Sequence, residues 1–333
     1  MEIHVTRSYN MGGTATLAQD GVIQVARELG YREMPVERRS FYDDYWNQIS
    51  HHLDGVIAPL RCGDVVIFQY PSWNGPDYDW KLVQKIRLYE GTKLVIFVHD
   101  FQKLMFDSEE SILHREIEIL NYADILILPS EQMYHYLVQN GVKERIPVFF
   151  QKIWEAPGFP EFTRHENLKR LCFTGEYSRF PFLKDYAGKT RLEQFSHQCP
   201  ERTEDESFCW KGGYSPVELM CELARGGYGL VWCDREYFER YYSLNQPHKL
   251  GFDLAAGIPV IVREGSSCES FIRKNGLGIV VRSLEEADTR VRQMSDENYA
   301  ELIRNVAKIQ KILLRGMYTK KLLSDVLVKA MEG

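Results

Sequence analysis

Residues 245–262 read NQPHKLGFDLAAGIPVIV. The stretch opens polar, with Lys249 alone among apolar neighbours, and continues as a short helical segment. It breaks at Gly257, passes Pro259 and ends in a β-branched run. A glycine after the last helical residue stops a helix, and a short apolar β-branched run makes a buried strand. A helix that feeds straight into such a strand is the repeating unit of an α/β fold with a parallel sheet. Lys249 falls near the start of that helix, where its charge adds to the positive end of the helix dipole. A pyrophosphate in front of the helix removes the conflict. The alternative is a lysine whose stem lies on the surface and whose ammonium reaches water.

The same rhythm extends in both directions. EIHVTRS reads as a first strand, MGGT as a glycine loop and TATLAQDGVIQVARELG as a helix that ends at Gly30. DVVIFQYP, KLVIFVHD and ADILILPS are compact apolar runs with polar exits, as expected of strands buried on both faces. A helix is expected over residues 108–122. SEQMYHYLVQNG has a serine cap and a glycine stop, and IPVFF is the next strand. QKIWEAPGFPEFTRHENLK has two prolines and no clear period, which reads as a linker. A second series follows: KRLCFTGEY, SFCWKGGY, the serine-capped SPVELMCELARGG, YGLVWCD, the opening stretch and GLGIVV. The expectation is α/β: two Rossmann-like, doubly wound domains facing across a cleft. The N-terminal domain spans 1–155 and the C-terminal domain 168–312. A C-terminal helix, 313–333, can pack back on the N-terminal domain.

Length supports two cores: 333 residues exceed one typical domain. A net charge of -6 leaves no basic excess to neutralise nucleic-acid phosphates. The apolar runs are strand-sized, well short of the roughly 20 residues of a membrane span. Glu2, His4 and Arg7 interrupt the first residues, so no signal peptide is expected. Seven cysteines without a C-x-x-C suggest neither a disulfide framework nor a zinc site. A soluble, cytoplasmic protein is the expectation.

Ligands of open α/β sheets bind beyond the carboxyl ends of the strands, and the polar and glycine-rich residues cluster there. MGGTA, with Gly13, is neither the dinucleotide fingerprint nor a phosphate-binding P-loop, which weakens the dehydrogenase and NTPase readings. Its glycines let a ligand approach backbone amides; the plain reading is a strand-to-helix turn. VIFVHD brings His99 and Asp100 to a strand exit, where they can contact substrate or cap a turn. TGEYSRF offers Glu176 and Arg179, the arginine suited to a phosphate or else to a surface ion pair. CWKGGYSPVEL supplies Trp210, Lys211 and Tyr214, for a flat base or for packing. REGSSCESF presents Gly265, Ser266 and Ser267 before a helix start, for a phosphate or as caps.

These segments together resemble glycosyltransferases of the two-domain GT-B fold. DLAAGIPVIV followed by GSSCESFIRKNGLGIVV looks like their donor-binding half. More narrowly, NQPHKLGFDLAAGIPVIV, TGEYSRF and VIFVHD resemble the accessory glucosyltransferases that extend O-linked glycans on bacterial serine-rich-repeat adhesins, within a galactofuranosyltransferase-like group. The resemblance implies transfer of a hexose, glucose or N-acetylglucosamine, from a UDP-sugar to N-acetylglucosamine already on Ser or Thr. It places Arg179 and Lys249 on the diphosphate, Tyr214 by the nucleotide, and Thr14 or Thr16 opposite, from the glycine loop. Where the largest retaining GT-B group has two glutamates, this chain has Leu244 and Phe252; Glu269 can serve the ribose instead.

No metal is expected. Arg, Lys and helix N-termini can stabilise a departing UDP. The one D-x-D, Asp77 to Asp79, lies in the other half of the chain. No cofactor beyond the UDP-sugar substrate is expected. The partners that the resemblance implies are the donor, a glycosylated serine-rich protein and further copies of the chain as a dimer or tetramer. A UDP-sugar epimerase of the same fold, or a non-catalytic GT-B protein that binds a glycosylated partner, are the alternatives.

Overall fold

The computed structural model describes residues 1–40, 45–106, 109–163, 165–234 and 236–332. Contacts divide the chain into two units: 1–152 with 316–333, and 153–315.

The first unit holds a six-stranded sheet: β1 (Ile3–Tyr9), β2 (Arg32–Glu37), β3 (Val65–Tyr70), β4 (Lys93–Val98), β5 (Ile125–Leu128) and β6 (Val148–Phe150). The spatial order is β2-β1-β3-β4-β5-β6, with every pair parallel. β3 and β5 are buried at every position, as required when helices cover both faces of a sheet. The runs DVVIFQYP, KLVIFVHD, ADILILPS and IPVFF therefore do form strands of this sheet. β2 carries Pro35, which removes a ladder donor, and it lies at the sheet edge, where that is tolerated. The C-terminal helix Met317–Glu332 also belongs to this unit. Tyr31 there donates to the Leu323 carbonyl at 3.4 Å, and Lys320 pairs with Glu28 at 2.6 Å. Ser108, the expected first residue of one helix, lies outside the described residues. The helix itself runs over Glu110–Leu120.

The second unit repeats the plan with β7 (Glu166–Thr174), β8 (Leu192–Phe195), β9 (Phe208–Gly212), β10 (Gly226–Val231), β11 (Val260–Arg263) and β12 (Gly278–Val281). Its order, β12-β11-β10-β7-β8-β9, reverses between β7 and β10, while the first sheet reverses between β1 and β3. Such reversals open the crevices at which doubly wound sheets bind ligands.

The stretch read as a linker is packed. Ile153, Trp154 and Ala156 are buried, because the apolar side chains around its prolines have a surface to cover. The Ala156 amide donates to the Leu313 carbonyl at 3.3 Å. The Trp154 carbonyl lies where a Cβ on Gly251 would come within 1.8 Å of it. Gly251 in the quoted stretch therefore lets this segment run against its helix. No described helix is long and apolar enough to cross a membrane.

Candidate functional site

The quoted stretch forms the helix His248–Ala255, with Pro247 as its N-cap residue and no side-chain cap. Two contacts hold the turn before it. Ser267 Oγ donates to the Asn245 carbonyl at 2.7 Å, and the Trp154 indole donates to the Gln246 carbonyl at 3.0 Å. The helix start is thus fixed by the linker segment on one side and by the serine loop on the other.

Lys249 lies in the first turn. Its Nζ is buried and has no hydrogen-bond partner, although the residue as a whole is only partly covered. The ammonium rests over two aromatic rings of the β7 exit, 3.9 Å from the Phe173 centroid and 4.5 Å from that of Phe180. Cation–π attraction compensates some of the lost hydration but supplies no acceptor. Burial pushes the Lys249 ammonium down to about 7; Asp253 and Cys233 oppose the shift, and Arg179 adds to it. The lysine does not reach out to water. It is held dehydrated at the positive end of a helix, a setting that becomes favourable once an anion arrives.

Asp253, one turn further on, is 2% exposed. Burial raises its carboxyl to about 8, against the pull of Lys249. An Asp inside an apolar helical pattern is the signal that could have drawn notice to it, and the sequence reading passed over it.

Arg179 ends the short 3-10 turn Tyr177–Arg179 at the β7 exit, beside the sheet's reversal point. It lies close enough to Lys249 to bear on that ammonium electrostatically. Folding thus brings together two cations that are 70 residues apart in the chain. Glu176 is engaged with the backbone instead. Its carboxylate accepts from the amides of His197 and Gln198 at 3.2 and 3.3 Å.

The remaining second-unit candidates have local partners. Ser266 Oγ lies 3.4 Å from the Cys268 sulfur, and Ser267 braces Asn245 as described. Both Glu269 oxygens are engaged locally, one accepting from the Gly265 amide and one from Arg273, each at 2.7 Å. Glu269 therefore closes its own loop and first helical turn. Tyr214 stands at the β9 exit, its ring 5.6 Å from Phe195 at the end of β8. Phe252 is core, packed against Phe159 at 5.6 Å between centroids, and Leu244 ends the preceding helix.

In the first unit, Gly13 begins the helix Gly13–Glu28 with φ +72, just after the β1 exit. Thr14 is exposed, and Thr16 Oγ1 is buried without a hydrogen-bond partner. His99 is 4% exposed; its amide donates to the Tyr70 carbonyl at 2.8 Å and its ring lies 4.8 Å from that of Phe97. Asp100 follows, half-buried.

One acid there, Glu116, went unnoticed in the sequence, and a second, Asp79, was noted only as part of the D-x-D. Glu116 accepts from the Tyr70 hydroxyl at 2.9 Å and from the amides of Gln102 and Lys103 at 2.8 and 3.0 Å, which fixes the chain just after Asp100. Asp79 bonds the Ser72 hydroxyl and amide. Burial lifts both carboxyls to about 7. Asp77, the other acid of the D-x-D, points away and pairs with Arg115 at 3.2 Å. Residues two apart on a helix face different sides, so these two carboxylates do not converge. Among the described residues no group of three His, Cys, Asp or Glu side chains could hold a metal ion.

Two family models account for nearly the whole chain. One, described as glucosyltransferase 3-like, N-terminal domain, matches residues 2–153; the other, glucosyltransferase 3-like, C-terminal domain, matches residues 171–326. Glucosyltransferase 3 of Streptococcus gordonii is 37% identical over 338 residues, with 100% of each chain covered. Among solved structures, sucrose-phosphate synthase from Thermosynechococcus elongatus superposes with a TM-score of 0.65 at 11% identity, covering 99% of both chains. Anabaena HepE in complex with UDP and glucose gives 0.64 at 10% identity, covering 99% of this chain and 100% of that one. At such identities the structural likeness establishes the fold, which is GT-B.

Proposed function

The chain belongs to the glucosyltransferase 3-like family and is a UDP-sugar-dependent hexosyltransferase, and from that premise we propose that its donor is UDP-glucose and its acceptor an N-acetylglucosamine already linked to Ser or Thr. The observation that carries the diphosphate part of the donor assignment is Lys249: a buried ammonium without a hydrogen-bond partner, beside Arg179, at a helix start. In glycosyl transfer, negative charge grows on the leaving UDP as its bond to the sugar's anomeric carbon breaks. Cations and amides already aimed at that oxygen stabilise the transition state more than the ground state. Lys249 and Arg179 hold the diphosphate in this reading, with Tyr214 by the nucleotide and the Ser266–Ser267 loop at the phosphates. Glu269 reaches the ribose through lone pairs its local bonds leave open.

The first unit supplies the acceptor half. Asp100 is the base that takes the acceptor hydroxyl's proton if the reaction inverts configuration. If it retains, His99 holds the donor sugar. Gly13 and Thr14 or Thr16 approach the donor from the glycine loop. The buried, unpartnered Thr16 hydroxyl favours Thr16 of the two. The reaction needs no metal and no further cofactor, with the two cations taking the part of a Lewis acid. The enzyme works in the cytoplasm as a homo-oligomer, a dimer or tetramer, on a serine-rich adhesin.

A screen of UDP-sugars against an N-acetylglucosaminyl-serine peptide, read by mass spectrometry, tests donor and acceptor together. Addition of one hexose from UDP-glucose is the expected result. A new sugar nucleotide formed from UDP-glucose alone would instead identify an epimerase. Turnover lost to a chelator and restored by manganese would overturn metal independence.

A further inference from the structure

Trp73 stands just beyond the β3 exit with φ +65, a left-handed backbone that bulky residues avoid. Both neighbours pin it there. Ser72 is tied to the buried Asp79 through hydroxyl and amide. Asn74 accepts from the Arg39 amide at 2.9 Å and donates to the Glu37 carbonyl at 3.2 Å, both at the β2 exit. Strain that the surroundings enforce on a large aromatic residue points to a use for the ring, because a glycine would sit in this loop without cost.

The ring has a companion. Phe106 closes the helix Gln102–Phe106, on the same connection as His99 and Asp100, and is 57% exposed. The two rings meet edge to face, with centroids 6.5 Å apart. β3 and β4 are adjacent parallel strands, so the pair spans two neighbouring exits on the sheet's carboxyl edge. β3 also borders the point where the strand order reverses. Gln19 joins this loop to the β1 exit, accepting from the Ser8 amide at 2.7 Å and donating to the Pro71 carbonyl at 3.5 Å.

We propose that Trp73 and Phe106 form a stacking platform for the sugar ring of the acceptor, next to the His99–Asp100 exit. The proposal rests on the reading of this unit as the acceptor half. A pyranose ring has an apolar face of C–H groups and a rim of hydroxyls. The site matches both: aromatic surface on a fixed backbone, and exposed planar polar groups beside it in Glu37 and Arg39. Preorganisation matters here because a flexible glycan attached to a peptide already loses freedom on binding, and a rigid receiving surface adds no further loss.

The test compares Trp73→Gly, Trp73→Phe and Phe106→Ala with the parent enzyme, using UDP-glucose and an N-acetylglucosaminyl-serine peptide. Trp73→Gly is the discriminating variant, since glycine accepts the left-handed backbone and the fold keeps its melting temperature. The expected result is an acceptor KM raised roughly tenfold, the scale of one aromatic contact, with UDP-glucose affinity unchanged and with Trp73→Phe near the parent. Phe106→Ala raises the acceptor KM by a smaller factor. An unchanged acceptor KM in folded Trp73→Gly overturns the proposal, as does a KM that rises only together with a fall in melting temperature. Calorimetric titration of the peptide in the presence of UDP reads binding without turnover. If the parent binds the peptide but transfers nothing, the function is misread while the platform stands on the loss of binding in Trp73→Gly. Equal binding by both proteins, or binding by neither, overturns the platform.

Discussion

The Lys249 ammonium lies 3.9 Å from the centroid of the Phe173 ring and has no hydrogen-bond partner. A buried, unpartnered ammonium is a costly group to keep, and removal of its charge often stabilises a fold. Its presence at a helix start therefore separates two properties that usually move together. Lys249→Met is expected to raise the melting temperature while donor affinity and turnover both fall, by about 2–4 kcal/mol for the transition state if the site excludes water. Thermal unfolding and steady-state kinetics on one preparation decide this. Parent-like kinetics in the folded variant would remove Lys249 from the site.

The depressed titration of Lys249 also carries a pH signature. Its ammonium ionises near 7 in the free protein, lowered by burial, and a bound diphosphate raises that value. Between the two values, binding takes up a proton. UDP-glucose affinity is thus expected to be greatest below pH 7 and to fall as pH rises above it. Calorimetry at pH 8 in two buffers of different ionisation heat should show proton uptake, and the uptake should vanish in Lys249→Met. Equal apparent heats in both buffers for the parent would refute the assignment.

Arg179 is expected to contact phosphate through its planar fork. Arg179→Lys keeps the charge and loses the two-pronged geometry, so transfer should drop while the melting temperature holds. Full activity in the lysine variant would show that charge alone suffices, or that the residue lies outside the site.

Asp100→Asn separates the base from the donor site. If Asp100 takes the acceptor proton, the variant keeps UDP-glucose binding and loses about 10²–10⁴-fold in transfer. His99→Ala measured alongside identifies a sugar-holding role by its effect on donor binding. Transfer at the parent rate in both variants would reduce the β4 exit to a structural turn.

Gly251→Ala is expected to destabilise the second unit by about 1–3 kcal/mol or more, since overpacking against a backbone carbonyl cannot be relieved by a rotamer change. The new Cβ would meet the Trp154 carbonyl at 1.8 Å. A melting temperature equal to that of the parent would mean that the segment shifts freely, contrary to its buried side chains.

Much of the architecture was legible because parallel strands covered on both faces must be apolar throughout. DVVIFQYP, KLVIFVHD, ADILILPS and YGLVWCD announced themselves in that way. β2 and β8 did not. β2 is an edge strand interrupted by Pro35, and β8 reads LEQF, its Glu193 buried only because Arg170 pairs with it. Neither has the composition of a central strand, and their place follows from partners distant in the chain. The stretch read as a linker does carry the boundary between the units, at Lys152 and Ile153, but its packing was hidden for a related reason: Ile153 and Trp154 look like isolated apolar residues until the Gly251 helix gives them a surface.

The sequence by itself determined the βα rhythm, the two series and the residue types at each strand exit, since periodicity and turn chemistry are local. It also placed Lys249 at a helix start, where a lone cation raises a question. Tertiary structure alone decided the answer. Only packing puts Phe173 and Phe180 under the ammonium, Arg179 within its field and Asp253 in the same buried setting. Burial, and with it the shift in charge, is a property of what surrounds a side chain, and those surroundings come from segments up to 76 residues away along the chain, as Phe173 and Lys249 are.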